Sequence, residues 1–158
     1  MKSLHRGFSL LELLLVIGLL CLVIAVAVPN FKPVLHEADL EQSVRVLEVD
    51  LGWARAAARA AKTRVCVRFD ERGYSVYKEN GGLQEELRRR EWPGAATLES
   101  LNPALSGNVF GFNERGRPIT ADGSELTHEI TITVGSAGSS RAQVKVKPYT
   151  GRVEVVYP

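Results

Sequence analysis

The sequence predicts an α+β fold: a long N-terminal helix, transmembrane in its first half, packed on an antiparallel β-sheet or sandwich domain. Three observations predict it. Residues 8 to 28 are apolar apart from Ser9 and Glu12, and Glu12 is the only charge among them. Phe31, Val34, Ala38, Val44, Leu47, Leu51, Ala54, Ala58 and Ala61 then recur at spacings of three, four or their sum, one stripe of a helix. After Lys62 the period changes to alternation, as in Val65, Val67 and Phe69 against Cys66 and Arg68.

The apolar run is about 21 residues long, and at about 1.5 Å per residue it matches the roughly 30 Å hydrocarbon layer of a bilayer. A carboxylate inside that layer costs roughly 2.5–3.5 kcal/mol, so Glu12 calls for a reason. A short cationic leader with Lys2 and Arg6 precedes the run. An ordinary secretory signal, cut at Ala25-Val26-Ala27, does not want an acid near the start of its core. A lipoprotein site at Cys21 fails because Leu20 stands where a small residue is required.

Gly7-Phe8-Ser9-Leu10-Leu11-Glu12, followed by the apolar helix, resembles the N-terminus of type IV pilins and type II secretion pseudopilins. The resemblance implies cleavage between Gly7 and Phe8 by a prepilin peptidase and N-methylation of Phe8. It also implies that Glu12 meets the terminal amine of a neighbouring subunit's Phe8 during assembly. An ion pair in low dielectric suits that role, because losing one partner leaves an uncompensated charge. Glu12 also lies where the positive end of the helix dipole favours an anion.

The expected organisation is a leader at 1–7, a transmembrane and assembly helix at 8–29, its amphipathic continuation at 30–62 and a β-domain at 63–158. Pro29 is expected to bend or loosen one helix running from about Phe8 to Lys62, since it cannot donate to the Ala25 carbonyl. Glu37, Asp39, Glu41, Arg45, Glu48 and Asp50 read as a solvated face, as do Arg55 and Arg59, and Trp53 as a cap on the core's edge. Asp70-Glu71-Arg72-Gly73 joins a hairpin, and Asn80-Gly81-Gly82 makes the next turn. Leu83 to Trp92 fits a short helix or an irregular polar strand. Pro93 to Gly107 reads as a loop on the sheet. Further strands are expected at Val109–Asn113, Glu129–Val134, Ala142–Lys147 and Arg152–Tyr157.

The C-terminal half resembles the GspH/FimT group of minor pseudopilins and minor pilins. The matching stretches are Phe110 to Pro118, the Ile130–Val134 strand, and Thr150-Gly151-Arg152-Val153. The resemblance implies a minor pseudopilin of the type II secretion system, at or near the tip of a periplasmic pseudopilus. Its partners would be other pilins or pseudopilins, the prepilin peptidase and the inner membrane. By the positive-inside rule Lys2 and Arg6 stay cytoplasmic, giving a single-pass protein with a periplasmic C-terminal domain.

A second reading is a FimT-like minor type IV pilin that assists pilus assembly or binds DNA through Arg115, Arg117, Arg141, Lys145, Lys147 and Arg152. Charge weighs against wholesale nucleic-acid binding. With Lys2, Arg6 and Glu12 set aside, 18 basic side chains stand against 17 acidic. Cys21 and Cys66 form no disulfide framework. His5, His36 and His128 are isolated, and Asp122, Glu125 and Glu129 lack a calcium-loop spacing. No phosphate loop, nucleophile elbow or paired-acid motif occurs, so no catalysis, metal or cofactor is expected.

Overall fold

The computed structural model describes residues 9–27, 32–94, 96–136 and 140–157, and the side chains of that set apart from 26, 27 and 32–35. The chain divides into two units, Met1–Leu35 and His36–Pro158. In the first unit α1 runs Leu10–Ala27. Its start is fixed by Ser9, whose carbonyl accepts from the amides of Glu12 at 3.0 Å and Leu13 at 3.1 Å. A second helix, α2, spans Lys32–Ala61. The single helix read from the sequence is thus described as two, and the expected break at Pro29 lies outside the described residues.

From His36 onward α2 forms the spine of the β-domain. Val44, Leu47, Leu51, Ala54 and Ala58 of the expected stripe are buried, as is Leu40, which the stripe did not include; Ala38 and Ala61 of the stripe are exposed. Each fully buried leucine or valine contributes about 1.5–3 kcal/mol. The helix ends where Lys62 turns left-handed (φ 48°) and the Thr63 amide reaches back to the Ala58 carbonyl at 3.2 Å.

Among the described residues nine strands follow in two antiparallel sheets. The five-stranded sheet has the order β3 (Leu83–Glu91), β2 (Gly73–Asn80), β1 (Arg64–Asp70), β5 (Val109–Phe112), β6 (Pro118–Thr120), and the four-stranded sheet the order β4 (Thr97–Asn102), β7 (Ile130–Gly135), β8 (Arg141–Val146), β9 (Val153–Val156). β1 (Arg64–Asp70) and β2 (Gly73–Asn80) form the expected hairpin. Val65, Val67 and Phe69 enter the main core with Tyr74 and Val76. On the opposite face of β1, Cys66 is buried against Tyr77 and Val109, while Arg64, Arg68 and Asp70 are exposed. β5 (Val109–Phe112) sends Phe110 and Phe112 inward and lays Gly111 against Cys66, where a Cβ would stand 2.8 Å from Sγ. β7 (Ile130–Gly135) and β8 (Arg141–Val146) alternate as expected, with Ile130, Ile132, Val134, Ala142, Val144 and Val146 fully buried, and β9 (Val153–Val156) is half-buried over its first three residues.

Two segments differ from the sequence reading, and a third, read as a short helix or an irregular polar strand, takes the second form. Leu83–Glu91 is a strand, β3, at the edge of the larger sheet beside β2. The expected loop at Pro93–Gly107 holds β4 (Thr97–Asn102), the edge strand beside β7. A short strand, β6 (Pro118–Thr120), pairs with β5. Proline fits there because β6 closes the sheet and needs no inward donor.

Candidate assembly site

α1 contains no basic residue, and Glu12 is its sole acid. From Leu10 to Ile24 its leucines, valines and isoleucines are exposed on every side, from Leu10 at 75% to Val16 at 42%, and Glu12 is exposed in the first turn. A helix apolar all round is stable only among lipid tails or other helices. Counted over the described residues, no helix meets the length and apolarity of a membrane crossing. The 18 residues of α1 rise about 27 Å. Phe8 and Val28, which extend the run in sequence, lie outside the described residues, as do Gly7 and the leader. Among the described residues Glu12 has no ion-pair partner.

The other acid of interest lies in α2. Asp50, placed by sequence on a solvated face, is only 1% exposed. It accepts from the Tyr74 hydroxyl at 2.9 Å, Arg88 Nη1 at 2.5 Å and Arg90 Nε at 3.1 Å. Burial and the Asp50 carboxylate together push the Tyr74 phenol well above its usual range. The Arg88 guanidinium also lies 3.9 Å from the Trp53 ring centre. Arg88 and Arg90 face the helix because they are two apart on one strand, while Arg89 turns out to Glu86 at 2.9 Å. The arginine run therefore anchors the β3 edge to α2.

A second anchor joins two of the three stretches that carry the narrower resemblance. The Asn113–Arg117 turn is closed by the Asn113 side-chain carbonyl, which accepts from the amides of Arg115 at 2.9 Å and Arg117 at 3.0 Å. Its Gly116 carbonyl accepts from Arg55 Nε at 3.2 Å, so Arg55 is not a solvated cation as the sequence suggested. Gly151, left-handed at φ 65°, abuts the same carbonyl, and a Cβ there would overlap it.

The six cations proposed for DNA are distributed over both sheets, and five are engaged by acids. Arg117 pairs with Glu125 at 3.0 Å, Arg141 with Glu99 at 2.7 Å, and Lys145 with Glu129 at 3.4 Å. Lys147 holds Glu129 at 2.5 Å and Glu154 at 3.5 Å, while Arg152 lies 3.4 Å from Glu154. The Lys147 hydrogen bond draws the Glu129 carboxyl below its usual range. Asp122 bonds Thr120 and Ser124, so Asp122, Glu125 and Glu129 serve three separate partnerships.

Residues 2–28 match the prokaryotic N-terminal methylation motif. The chain carries the type IV pilin signal on a pilin-like fold. A pilin-like protein of Thermus thermophilus, PilA1, is 28% identical over 172 residues, covering 95% of this chain and 99% of that one. Among solved structures, the type IV minor pilin FimU of Pseudomonas aeruginosa matches 77% of this chain and 90% of its own at a TM-score of 0.58 and 14% identity. The minor pseudopilin EpsH from the type 2 secretion system of Vibrio cholerae matches 76% and 98%, also at 0.58, with 12% identity. At these identities the structural likeness speaks for the pilin-like fold, with its long helix and antiparallel sheets.

Proposed function

We propose that this chain is a structural subunit of a type IV pilin-like filament and, more finely, a minor pseudopilin of a type II secretion system placed at or near the pseudopilus tip. The observation that carries the reading is α1: an exposed apolar helix with one acid in its first turn, joined to a folded β-domain. Such a helix is inserted first in the inner membrane as a single pass, with the β-domain in the periplasm. It is then drawn among neighbouring helices, where the same apolar surface packs without lipid. Cleavage between Gly7 and Phe8 supplies a terminal amine, and Glu12 sets register by pairing with that amine on the next subunit.

The likeness to FimU keeps a minor type IV pilin as the second reading. The DNA-binding form of it is less favoured, because phosphates would have to displace Glu99, Glu125, Glu129 and Glu154 from the cations they occupy. Two measurements test the filament reading. Mass spectrometry of the processed chain is expected to show methyl-Phe8 as its first residue; a retained leader, or a start at Val28, contradicts it. Glu12→Ala is expected to leave membrane insertion unchanged and to deplete the chain from sheared filaments; normal incorporation removes the role of Glu12.

A further inference from the structure

Among the described residues the two sheets end in four edge strands, β3 and β6 on one and β4 and β9 on the other. An unpaired edge is a template for another chain unless something blocks it. Charge blocks β3, which carries Glu85, Glu86, Arg88, Arg89, Arg90 and Glu91. β6 is covered by its own loop, because the Thr120 amide donates to the Ser124 carbonyl at 2.9 Å and the Leu126 amide to the Pro118 carbonyl at 3.0 Å. β4 is broken by a register shift between Leu98 and Ser100. β9 has none of these devices. It contains no proline, and its register with β8 is unbroken. Its one charge, Glu154, is engaged by Lys147 and Arg152.

The register fixes which backbone groups of β9 are open. The Lys147 amide donates to the Arg152 carbonyl at 2.8 Å, and Lys145 stands opposite Glu154. Antiparallel pairs alternate between bonded and non-bonded, so Arg152, Glu154 and Val156 face their backbone groups to β8. Val153 and Val155 turn theirs to the open side, while their half-buried side chains pack on the main core. α2 runs beside that face. Arg45, Glu48, Gly52 and Arg55 follow at spacings of three and four, one row along the helix. At one end of the row, a Cβ on Gly151 would lie 3.3 Å from Arg55 Cδ. At the other, the Arg45 guanidinium is held above its usual value first by Glu41 and then by Tyr157, just past β9. Glu48 and Gly52 therefore flank the stretch from Val153 to Val155, and a Cβ on Gly52 would meet nothing within 4 Å.

We propose that the open side of β9 pairs with one extended segment of a different polypeptide. Backbone donors and acceptors at strand spacing are matched by another extended backbone, not by a helix surface. Residues of the segment opposite Val153 and Val155 project to the α2 side, where the two valines and the space at Gly52 receive apolar side chains. Charge narrows the choice. Glu41 holds Arg45 at 2.5 Å, and the Gly116 carbonyl holds Arg55 at 3.2 Å. Among the described residues half-exposed Glu48 has no such partner, so a lysine or arginine in the segment completes the row. β9 of a second copy would offer Val153, Val155 and Tyr157 on that face, with no cation. Pairing uses the edge up, so the contact is made once per copy, and it holds whether or not the chain enters filaments.

The test uses the isotope-labelled full chain in detergent. The probe is a synthetic peptide alternating valine with threonine, with one lysine in place of a valine. Amide hydrogen exchange, read by NMR, is expected to slow at Val153 and Val155 when peptide is added and to stay unchanged along β3 and β4. Val155→Pro removes one outward donor without touching the β8 ladder and is expected to weaken binding about tenfold. Val155→Ala loses the same packing but keeps the donor, and is expected to bind much more tightly than the proline variant. Glu48→Gln is expected to weaken binding about threefold. Equal binding by the proline and alanine variants overturns the backbone pairing, as does slowed exchange along β3 or β4 alone. Exchange at Val153 and Val155 unmoved by peptide at its solubility limit overturns the proposal outright. Slowing that grows with protein concentration in the absence of peptide assigns the edge to a second copy and overturns it too.

Discussion

Two carboxylates on consecutive helices meet opposite fates. Asp50 on α2 is 1% exposed and held by a phenol and two guanidinium groups within its own chain. Glu12 on α1 is exposed among exposed leucines and finds no ion-pair partner among the described residues. The physics of a charge away from water is the same for both: it needs an opposite charge and hydrogen bonds, or it is costly. Asp50 meets that need by folding. Glu12, once lipid or other helices surround α1, can meet it only from outside the described residues, which is why it points to assembly and Asp50 to architecture.

The most forceful way to break the contrast is to turn Asp50 into an acid without partners. Arg88→Ala with Arg90→Ala leaves a buried carboxylate bonded only to Tyr74. The expected loss is about 3–5 kcal/mol, read as a lower denaturant midpoint at unchanged slope for the full chain in detergent. A loss below about 1 kcal/mol would mean that water reaches Asp50 and that the β3 edge is not anchored through it.

Asp50 was legible in principle. It stands three residues after Leu47 and four before Ala54, inside the apolar stripe and not opposite it. The alternation Arg88-Arg89-Arg90 likewise marks two cations on one face of a strand. The hairpin of β1 and β2, and strands β7 and β8, were readable because each buries one face with clean alternation. β4 was not, because a register shift between Leu98 and Ser100 spaces its inward leucines three apart and erases the period of two. The partners of the strand cations were beyond sequence altogether, since Glu99 reaches Arg141 only across β4, β7 and β8.

A milder probe lies between the two extremes. Glu129, at 29% side-chain exposure, is shared by Lys145 and Lys147. Its carboxyl is drawn below the usual range, first by the Lys147 hydrogen bond. A lowered folded-state pKa means stability that is fully present above the unfolded value of about 4.3 and lost as pH falls through the folded value. Glu129→Gln is therefore expected to be slightly less stable than wild type at neutral pH, with the gap closing as pH falls below the usual carboxylate range. A gap that persists in acid would assign the effect to packing and not to charge.

The smallest effect is expected at Glu12 itself. Glu12→Gln keeps the shape and removes a charge that has no ion-pair partner among the described residues. Unfolding of the β-domain should move by less than about 0.5 kcal/mol, as for a substitution on an open surface. Insertion should become easier if it changes at all, because an amide is cheaper than a carboxylate in lipid. Loss from filaments with stability unchanged would place the partner of Glu12 on another molecule. A stability loss comparable to that of the Arg88 and Arg90 pair would instead place it within this chain, and the contrast with Asp50 would disappear.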